Sequence, residues 1–279
     1  MRPRPVLRYH GGKWLLAPWI ISHFGSHRAY VEPFGGAASV LMRKKRSPVE
    51  VYNDLWGTVV NVFRILRDPI QAAELTRLLY LTPFSREEFE AIQGVTLAQL
   101  SMIEQARCTI LRSLAGFGSA STNGAHSTGF RASSGESSTT PAIDWANYPT
   151  HIPRFVERLR GVLIENRSAL DVIEQHDSPS TLFYLDPPYP HCTRNMRRGN
   201  AMYACEMNDQ DHADLASLLH HVQGMVIISG YECPLYDQLF GSWAHYKREH
   251  VIDGGNKRLE SIWLNPAAAE NVPAPRLPI

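Results

Sequence analysis

The sequence lacks the features of a zinc protein, a disulfide-rich protein or a membrane protein. Its 279 residues include four cysteines with no C-x-x-C pair, which argues against a zinc framework and against a small secreted domain held by disulfides. No apolar run approaches the ~18 residues of a membrane-spanning helix. The short apolar segment 14–21 is followed by no small-residue cleavage site, so it does not predict a signal peptide. We therefore expect a cytoplasmic protein that uses no membrane and no metal.

An excess of charge of either sign is also missing. The 28 lysines and arginines nearly balance the 27 aspartates and glutamates, which gives a formal net charge of +1. This balance excludes a wholly basic, histone-like binder, although local basic patches remain compatible with it. Hydrophobic residues make up 44% of the chain, enough for one large domain or for a core with an insertion.

Short apolar runs that end in turn residues predict buried strands. These runs cover residues 29–32, 50–52, 181–185 and 224–229. Helical patterns cover residues 37–45, 58–66, 155–163 and 209–222. Strands that alternate with helices predict an α/β fold with a parallel sheet covered on both faces. Ligands bind beyond the carboxyl ends of such strands, so we expect the turns that follow the strands to lie together.

The middle of the chain has a different pattern. Residues 68–114 are helical and poor in strands, and residues 113–140 are rich in Ser, Gly and Thr, which predicts a long loop or a partly disordered lobe. We therefore expect a mostly helical insertion in an α/β core. The expected divisions are a core at 1–66 and 150–265, an inserted lobe at 67–149, and a Pro/Ala-rich tail at 266–279 outside the core.

The strongest local signal is Asp186-Pro187-Pro188-Tyr189, directly after the apolar run 181–185. Prolines have no amide hydrogen and a fixed φ near ~−65°, so this segment leaves the sheet as a stiff loop. The Asp186 carboxylate and the proline carbonyls can accept two hydrogens from an amino group, while Tyr189 stacks on a planar ring. The alternative for the motif alone is a strand-terminating turn.

Two other turns predict a site for a nucleoside-containing ligand. Glu32-Pro-Phe34-Gly-Gly36 follows a strand, and glycines there let the backbone approach a ligand closely. Asp54 lies 18 residues after Gly36, where an acid typically accepts hydrogen bonds from ribose hydroxyls. The G-x-G-x-x-G and G-x-x-x-x-G-K-[ST] patterns are absent, which argues against dinucleotide binding and phosphoryl transfer.

The order of the motifs resembles that of the Dam-type N6-adenine DNA methyltransferases, which carry an Asp-Pro-Pro-Tyr sequence. The motifs are Tyr9-x-Gly-Gly-Lys13, Glu32-Pro-Phe-Gly-Gly36, Asn53-Asp54 and Asp186-Pro-Pro-Tyr189. Further matches at 207–212, 228–231 and 258–265 are similar to phage and prophage members. The resemblance covers about 5–66 and 150–265. It implies a Rossmann-like, S-adenosylmethionine-dependent methyltransferase core with an inserted, mostly helical target-recognition domain.

The resemblance implies transfer of a methyl group from S-adenosyl-L-methionine to the N6 amino group of an adenine flipped out of double-stranded DNA. The implied cofactor-binding residues are Tyr9, Lys13, Glu32, Phe34, Gly36, Asp54 and Asp186. The implied catalytic residues are Asp186, Pro187, Pro188 and Tyr189. Asn166 and Asp171 lie where a contact to the cofactor adenine is often found, although the start of a surface helix explains them equally well.

Acceptors on the Asp186 side chain and the Pro187 carbonyl would localise the lone pair of the adenine amine and stabilise the charge that develops on nitrogen. Stacking on Tyr189, worth roughly 1–3 kcal/mol, would offset much of the ~2–4 kcal/mol that base extrusion costs. Because the net charge is near zero, phosphate contacts must come from local clusters. The candidates are Arg112, Arg131, Arg194, Arg197 and Arg198. The basic run 43–46 is instead expected to be a solvated helix end.

Three other interpretations stay open at this point. A methyltransferase acting on RNA or a protein amide would share the cofactor loops, although such relatives more often have Asn in place of Asp186. A prophage relative could bind DNA without catalysis, and a nicotinamide oxidoreductase would fit the strand order but lacks the pyrophosphate glycines. Residues 67–149 carry no motif that we recognise and are expected to read the DNA sequence. We expect a monomer.

Overall fold

The computed structural model describes residues 4–9, 11–116, 128–132, 140–193, 204–251 and 257–273. The strands are β1 (Ala29–Glu32), β2 (Val49–Asn53), β3 (Val162–Glu165), β4 (Thr181–Leu185), β5 (Met225–Gly230), β6 (Ala244–Val251) and β7 (Lys257–Leu264). They form one sheet in the order β3-β2-β1-β4-β5-β7-β6. The first five pair in parallel, whereas β7 runs antiparallel to both β5 and β6.

Helices cover both faces of this mixed sheet, as the alternating pattern predicts. They are α1 (Ala17–Ile21), α2 (Gly57–Arg67), α3 (Pro69–Leu81), α4 (Arg86–Ala91), α5 (Met102–Ala115), α6 (Pro141–Asn147), α7 (Ile152–Leu159), α8 (Ala169–His176), α9 (Asp209–Leu219), α10 (Pro234–Phe240) and α11 (Pro266–Glu270). Helices α1–α7 and α11 contribute to the hydrophobic cluster on one face, and α8–α10 to the cluster on the other. In the described part of the chain, none of the helices has the length and apolarity to cross a membrane.

The predicted helix at 37–45 is wrong, because this segment is a series of turns. Gly36 and Ala38 have φ angles of +47° and +52°, in the left-handed region that a right-handed helix cannot pass through. The buried Glu32 carboxylate accepts a hydrogen bond from the Leu41 amide at 3.0 Å. A side chain from the end of β1 therefore holds the coil that follows it.

The predicted helix at 155–163 begins and ends too late, because α7 spans Ile152–Leu159. Helix α7 ends at Leu159, and Gly161, with a φ of +82°, separates it from β3. Strands β3, β6 and β7 were not predicted from the apolar runs of the sequence. Strand β6 has the sequence AHYKREHV, whose charged residues suit the edge of a sheet rather than the buried strands that the apolar runs predicted.

The helical segment after α2 packs against the same core as the sheet. Leu79 of α3, Phe89 of α4 and Leu111 of α5 are buried in one cluster with Tyr30 of β1. Helices α2 and α5 make the most extensive contact between helices in this cluster. The limits of the insertion at 67 and 149 stay a prediction, whereas its described helices are an integral part of the core.

Arg112 does not fit the predicted phosphate contact. Its side chain lies on the buried face of α5, and the residue is 4% exposed. The guanidinium donates hydrogen bonds to the carbonyls of Ile92, Gln93 and Val95, just after α4. These carbonyls have no continuing helix to bond to, so Arg112 satisfies the end of α4 inside the protein.

The basic run 43–46 does not end a helix, and only Arg43, Lys45 and Arg46 of its four cations are exposed. Lys44 is buried and pairs with Glu50 of β2 at 2.5 Å, and Arg158 of α7 binds the same carboxylate at 2.6 Å. Arg46 donates to the carbonyls of Glu157 and Arg160. These cations join the segment to β2 and α7, because a buried carboxylate requires compensating partners.

The first turn of the predicted tail belongs to the core. Ala268 of α11 is buried beneath β5. The buried Asn265 side chain accepts hydrogen bonds from the amides of Val226 and Ala268 and donates to the Gly224 carbonyl, each at 2.9 Å. Asn265 therefore caps α11 and joins it to the start of β5.

We expect Asn265→Ala to lower the free energy of unfolding by about 2–4 kcal/mol, because it removes a helix cap and leaves buried backbone groups of β5 without partners. Urea denaturation would measure the change. Asn271→Ala is the control, since Asn271 is exposed and bonds only within α11. Equal effects of the two substitutions would contradict the assignment.

Candidate active site

A cavity lies at the carboxyl ends of β1, β2 and β4. The space between its lining residues amounts to about 820 Å³ when the solvent at its open mouth is included. The structure brings all seven predicted cofactor residues to its wall: Tyr9, Lys13, Glu32, Phe34, Gly36, Asp54 and Asp186. Pro188 of the predicted catalytic motif also lines it, whereas Pro187 and Tyr189 do not.

Lys13 lies at the centre of the charged part of this wall. The residue is 4% exposed, and its ammonium group is 2.9 Å from the Asp186 carboxylate and 3.6 Å from that of Glu260. It also donates to the Gly11 carbonyl at 2.7 Å. Burial raises the pKa of Asp186, and the neighbouring Lys13 charge counteracts part of that rise. The pair therefore keeps an acceptor oxygen beside the cavity.

Glu260 is a site residue that the sequence reading did not assign. It belongs to β7 and is 1% exposed. Its carboxylate accepts a hydrogen bond from the Tyr189 hydroxyl. Burial raises the pKa of Glu260, Lys13 lowers it, and Asp186 raises it further. Glu260 lies within the match at 258–265, which was the available signal, but only the antiparallel pairing of β7 with β5 brings it to the site.

Tyr189 does not present an open stacking face in this structure. The residue is 6% exposed, the Lys13 ammonium lies 4.9 Å from the ring centroid, and Tyr231 packs edge-on at 4.8 Å. The expectation that Tyr189 stacks on a ligand ring stays a prediction, because in this structure Lys13 and Tyr231 contact the ring. The ring and its hydroxyl instead support Lys13 and Glu260 from behind the cavity wall.

Glu32 contributes a second buried acid to the wall. One of its oxygens accepts hydrogen bonds from the Tyr30 hydroxyl at 2.9 Å and from the Leu41 amide at 3.0 Å. Burial nevertheless raises the pKa of Glu32 to about 8, because desolvation outweighs these bonds and Asp186 adds repulsion. The carboxyl of Glu32 is thus protonated near neutral pH. A cation in the cavity would favour its ionised form and lower its pKa.

Asp54 closes the wall on the side of β2. Its two oxygens accept hydrogen bonds from the amides of Gly36 and Trp56, each at 2.8 Å, and burial raises its pKa to about 6. Gly36 has a positive φ, and a Cβ there would lie 3.0 Å from the Tyr9 ring. Glycine is required at this position because the turn approaches Tyr9 so closely.

The remaining predicted residues lie elsewhere. Arg194, Arg197 and Arg198 lie outside the described residues. Arg131 is half-buried beside the bridge between Gly116 and Phe130, so its contact with DNA stays a prediction. Asn166 donates to the carbonyls of Asp54 and Leu55 and supports the cavity loop, whereas Asp171 is exposed and does not line the cavity.

A comparison with known families identifies the chain. The model for the D12 class N6 adenine-specific DNA methyltransferases matches residues 9–253. The chain belongs to this family. No match was found among curated proteins. For this D12-class methyltransferase the methyl acceptor is N6 of adenine in DNA, rather than RNA or a protein amide. Its mixed seven-stranded sheet is consistent with the core of S-adenosylmethionine-dependent methyltransferases.

We expect Glu32→Gln to remove a pH dependence of the stability of this methyltransferase. Between the ordinary value of 4.5 and about 8, the folded protein binds one more proton at Glu32 than the unfolded chain does. The corresponding stability is full below pH 4.5 and is lost as the pH rises through about 8. From about pH 5 to about pH 9, the free energy of unfolding of the unmodified protein should fall by roughly 3 kcal/mol more than that of the variant.

Urea denaturation across this pH range would measure the difference. Glu270→Gln is a suitable control because Glu270 is exposed, and its curve should run parallel to that of the unmodified protein. Parallel curves for Glu32→Gln would contradict the buried, protonated state of Glu32.

A double-mutant cycle tests the bond between Glu260 and Tyr189. Glu260→Gln and Tyr189→Phe should be non-additive by about 1 kcal/mol in unfolding free energy, because Tyr189→Phe removes the donor and Glu260→Gln removes the charge that strengthens the bond. Tyr80 of α3 is exposed, so Glu260→Gln combined with Tyr80→Phe should be additive. Additivity in both cycles would mean that the hydroxyl and the carboxylate do not interact.

Proposed function

We propose that the cavity binds S-adenosyl-L-methionine and that the adenine to be methylated is flipped out of double-stranded DNA to reach Asp186. The observation that carries the proposal is the meeting of Lys13 and Asp186 with Glu32 and Asp54 in one cavity. The ends of β1, β2 and β4 supply the three acids, and the N-terminal loop supplies Lys13. The family match supports the same reaction class.

The cavity residues fit a ligand that has hydroxyl groups and a positive charge. Asp54 is a buried acid whose oxygens can accept further hydrogen bonds, as ribose hydroxyls would donate. Glu32 and Asp186 are acids whose pKa values are raised by burial, so a cationic ligand would stabilise their ionised forms. Tyr9 and Phe34 add aromatic surface for the flat part of the ligand.

The bound cofactor supplies an electrophilic methyl group on a positively charged sulfur. Asp186 acts on the other reactant, because its carboxylate accepts a hydrogen bond from the adenine amino group and localises the nitrogen lone pair. The motif also offers the Pro187 carbonyl as a second acceptor, although Pro187 itself does not line the cavity. Lys13 holds the Asp186 carboxylate in place and favours its ionised form. After transfer, the proton of the methylated amine passes to Asp186 and then to solvent.

Tyr189 has a positioning role in this proposal. Its hydroxyl binds Glu260 and its ring supports the Lys13 ammonium, so it orders the two groups that set the charge around Asp186. Pro188, which lines the cavity, is the residue of the motif that would contact the flipped adenine. The stiff proline backbone keeps this contact in a fixed place.

The segment 67–149 is our candidate for target recognition, because specificity requires side chains that reach base edges and none of its described residues lines the cavity. Relatedness to phage and prophage members rests on the motifs at 207–212, 228–231 and 258–265. A monomer is the proposed state in solution.

Asp186→Ala should reduce methyl transfer by at least about 10²–10³-fold, because it removes the acceptor that stabilises charge on the amine. Cofactor affinity should fall much less, since the other cavity residues remain. Radiolabelled methyl transfer to duplex DNA, followed by nucleoside analysis, measures the first quantity, and calorimetric titration with S-adenosyl-L-methionine measures the second. Near-normal turnover would refute the role of Asp186.

The matched control is Asp214→Ala. Asp214 of α9 is exposed, bonds to Gln210 on the same helix and does not line the cavity. Its removal also deletes one carboxylate, but transfer should stay within about twofold of the unmodified protein. Transfer of label to RNA or protein in preference to DNA would contradict the proposed substrate.

A further inference from the structure

The β6–β7 hairpin has two faces with different charge arrangements. Arg248 lies directly opposite Glu260 in the antiparallel register, and Arg258 lies two residues before Glu260 on the same strand. Cross-strand partners and residues two apart project from the same face of a sheet. Arg248 and Arg258, called here the arginine pair, therefore share the face on which Glu260 reaches Lys13.

A continuous set of contacts leads from Arg258 to the cavity wall. The Arg258 guanidinium lies over the Tyr231 ring, 4.9 Å from its centroid. Tyr231 in turn packs edge-on against Tyr189 at 4.8 Å, and Tyr189 supports Lys13. His250, opposite Arg258 in the register, has its pKa lowered by burial and then by the charge of Lys13. The arginine pair thus lies at the outer end of the contacts that lead through Tyr231 and Tyr189 to Lys13.

The arginine pair differs from the lysines on the opposite face of the hairpin. Lys247 pairs with Glu232 at 2.5 Å, and Lys257 pairs with Glu249 at 2.9 Å. Among the residues that the structure describes, neither Arg248 nor Arg258 has a carboxylate within ion-pair distance. Arg248 is exposed and Arg258 is half-buried. In the described part of the chain, two positive charges without an acidic partner therefore lie on the same face of the hairpin as Glu260.

We propose that Arg248 and Arg258 bind backbone phosphates of the DNA next to the nucleotide whose base enters the cavity. This inference rests on the proposed function and adds a DNA-contacting surface to it. Guanidinium groups bind phosphate oxygens through two parallel hydrogen bonds. The Tyr231 ring holds Arg258 by stacking, so less side-chain freedom is lost when a phosphate binds.

The test is the salt dependence of DNA binding by Arg248→Gln, Arg258→Gln and the double variant. Binding of a fluorescein-labelled duplex of mixed sequence would be followed by anisotropy between about 50 and 200 mM salt. Each substitution should reduce the slope of log affinity against log salt by about one and weaken binding roughly five- to tenfold near 0.1 M salt. Arg258→Lys, which keeps the charge, should retain most of the slope.

Lys257→Gln is the matched control, because it removes the same charge from the neighbouring residue on the opposite face. It should leave the slope unchanged. Slopes for the arginine variants equal to that of Lys257→Gln would overturn the inference. Methyl transfer to DNA by the unmodified protein separates the two proposals: if it occurs while the slopes stay unchanged, the proposed function stands and the arginine pair is misassigned. Absence of transfer overturns the proposed function and this inference with it.

Discussion

The site depends on one buried ammonium group held between two carboxylates. Lys13 comes from the N-terminal loop, Asp186 from the end of β4 and Glu260 from β7, and its ammonium lies within 4 Å of both acids. A buried charge is costly unless it is paired, and removing one partner leaves the others uncompensated. Distant parts of the chain are therefore fixed relative to one another by the charges that line the cavity.

The cavity wall holds more acid than base. Glu32, Asp54 and Asp186 line it beside Lys13, and the pKa of each acid is raised chiefly by burial. Ionisation of such buried acids is unfavourable unless a positive charge lies close to them. The cavity is thus matched to a cationic ligand and disfavours an anionic one, which agrees with the absence of phosphate-binding glycine patterns in the sequence.

The cavity was largely predictable because it is built from the ends of parallel strands, and motifs that follow such strands meet at one edge. Glu260 was not assigned, because the hairpin that carries it has a charged edge strand without a clear alternating pattern. The left-handed turn at Ala38 carries no glycine signal, so the helix at 37–45 was wrong. Arg112 looked exposed beside the Ser/Gly-rich segment, yet Cys108 and Ala115 on the same helical face are buried. That apolar face was the available sign that Arg112 points inward.

The register of the hairpin determines two things: that Glu260 lies beside Lys13, and that the arginine pair lies on the same face of the sheet. Glu260 and Arg258 share a face because they lie two residues apart on β7. The pairing of β7 with β5 turns that face toward the cavity, and a slip of one residue would turn both side chains to the other face. Two features hold this register: Trp263 lies opposite Ile228 of β5, and its ring stacks on His245 of β6 with centroids 4.5 Å apart. The aromatic stack lies on the face opposite Glu260. Packing on one face of the hairpin therefore keeps the charged groups of the other face beside the cavity.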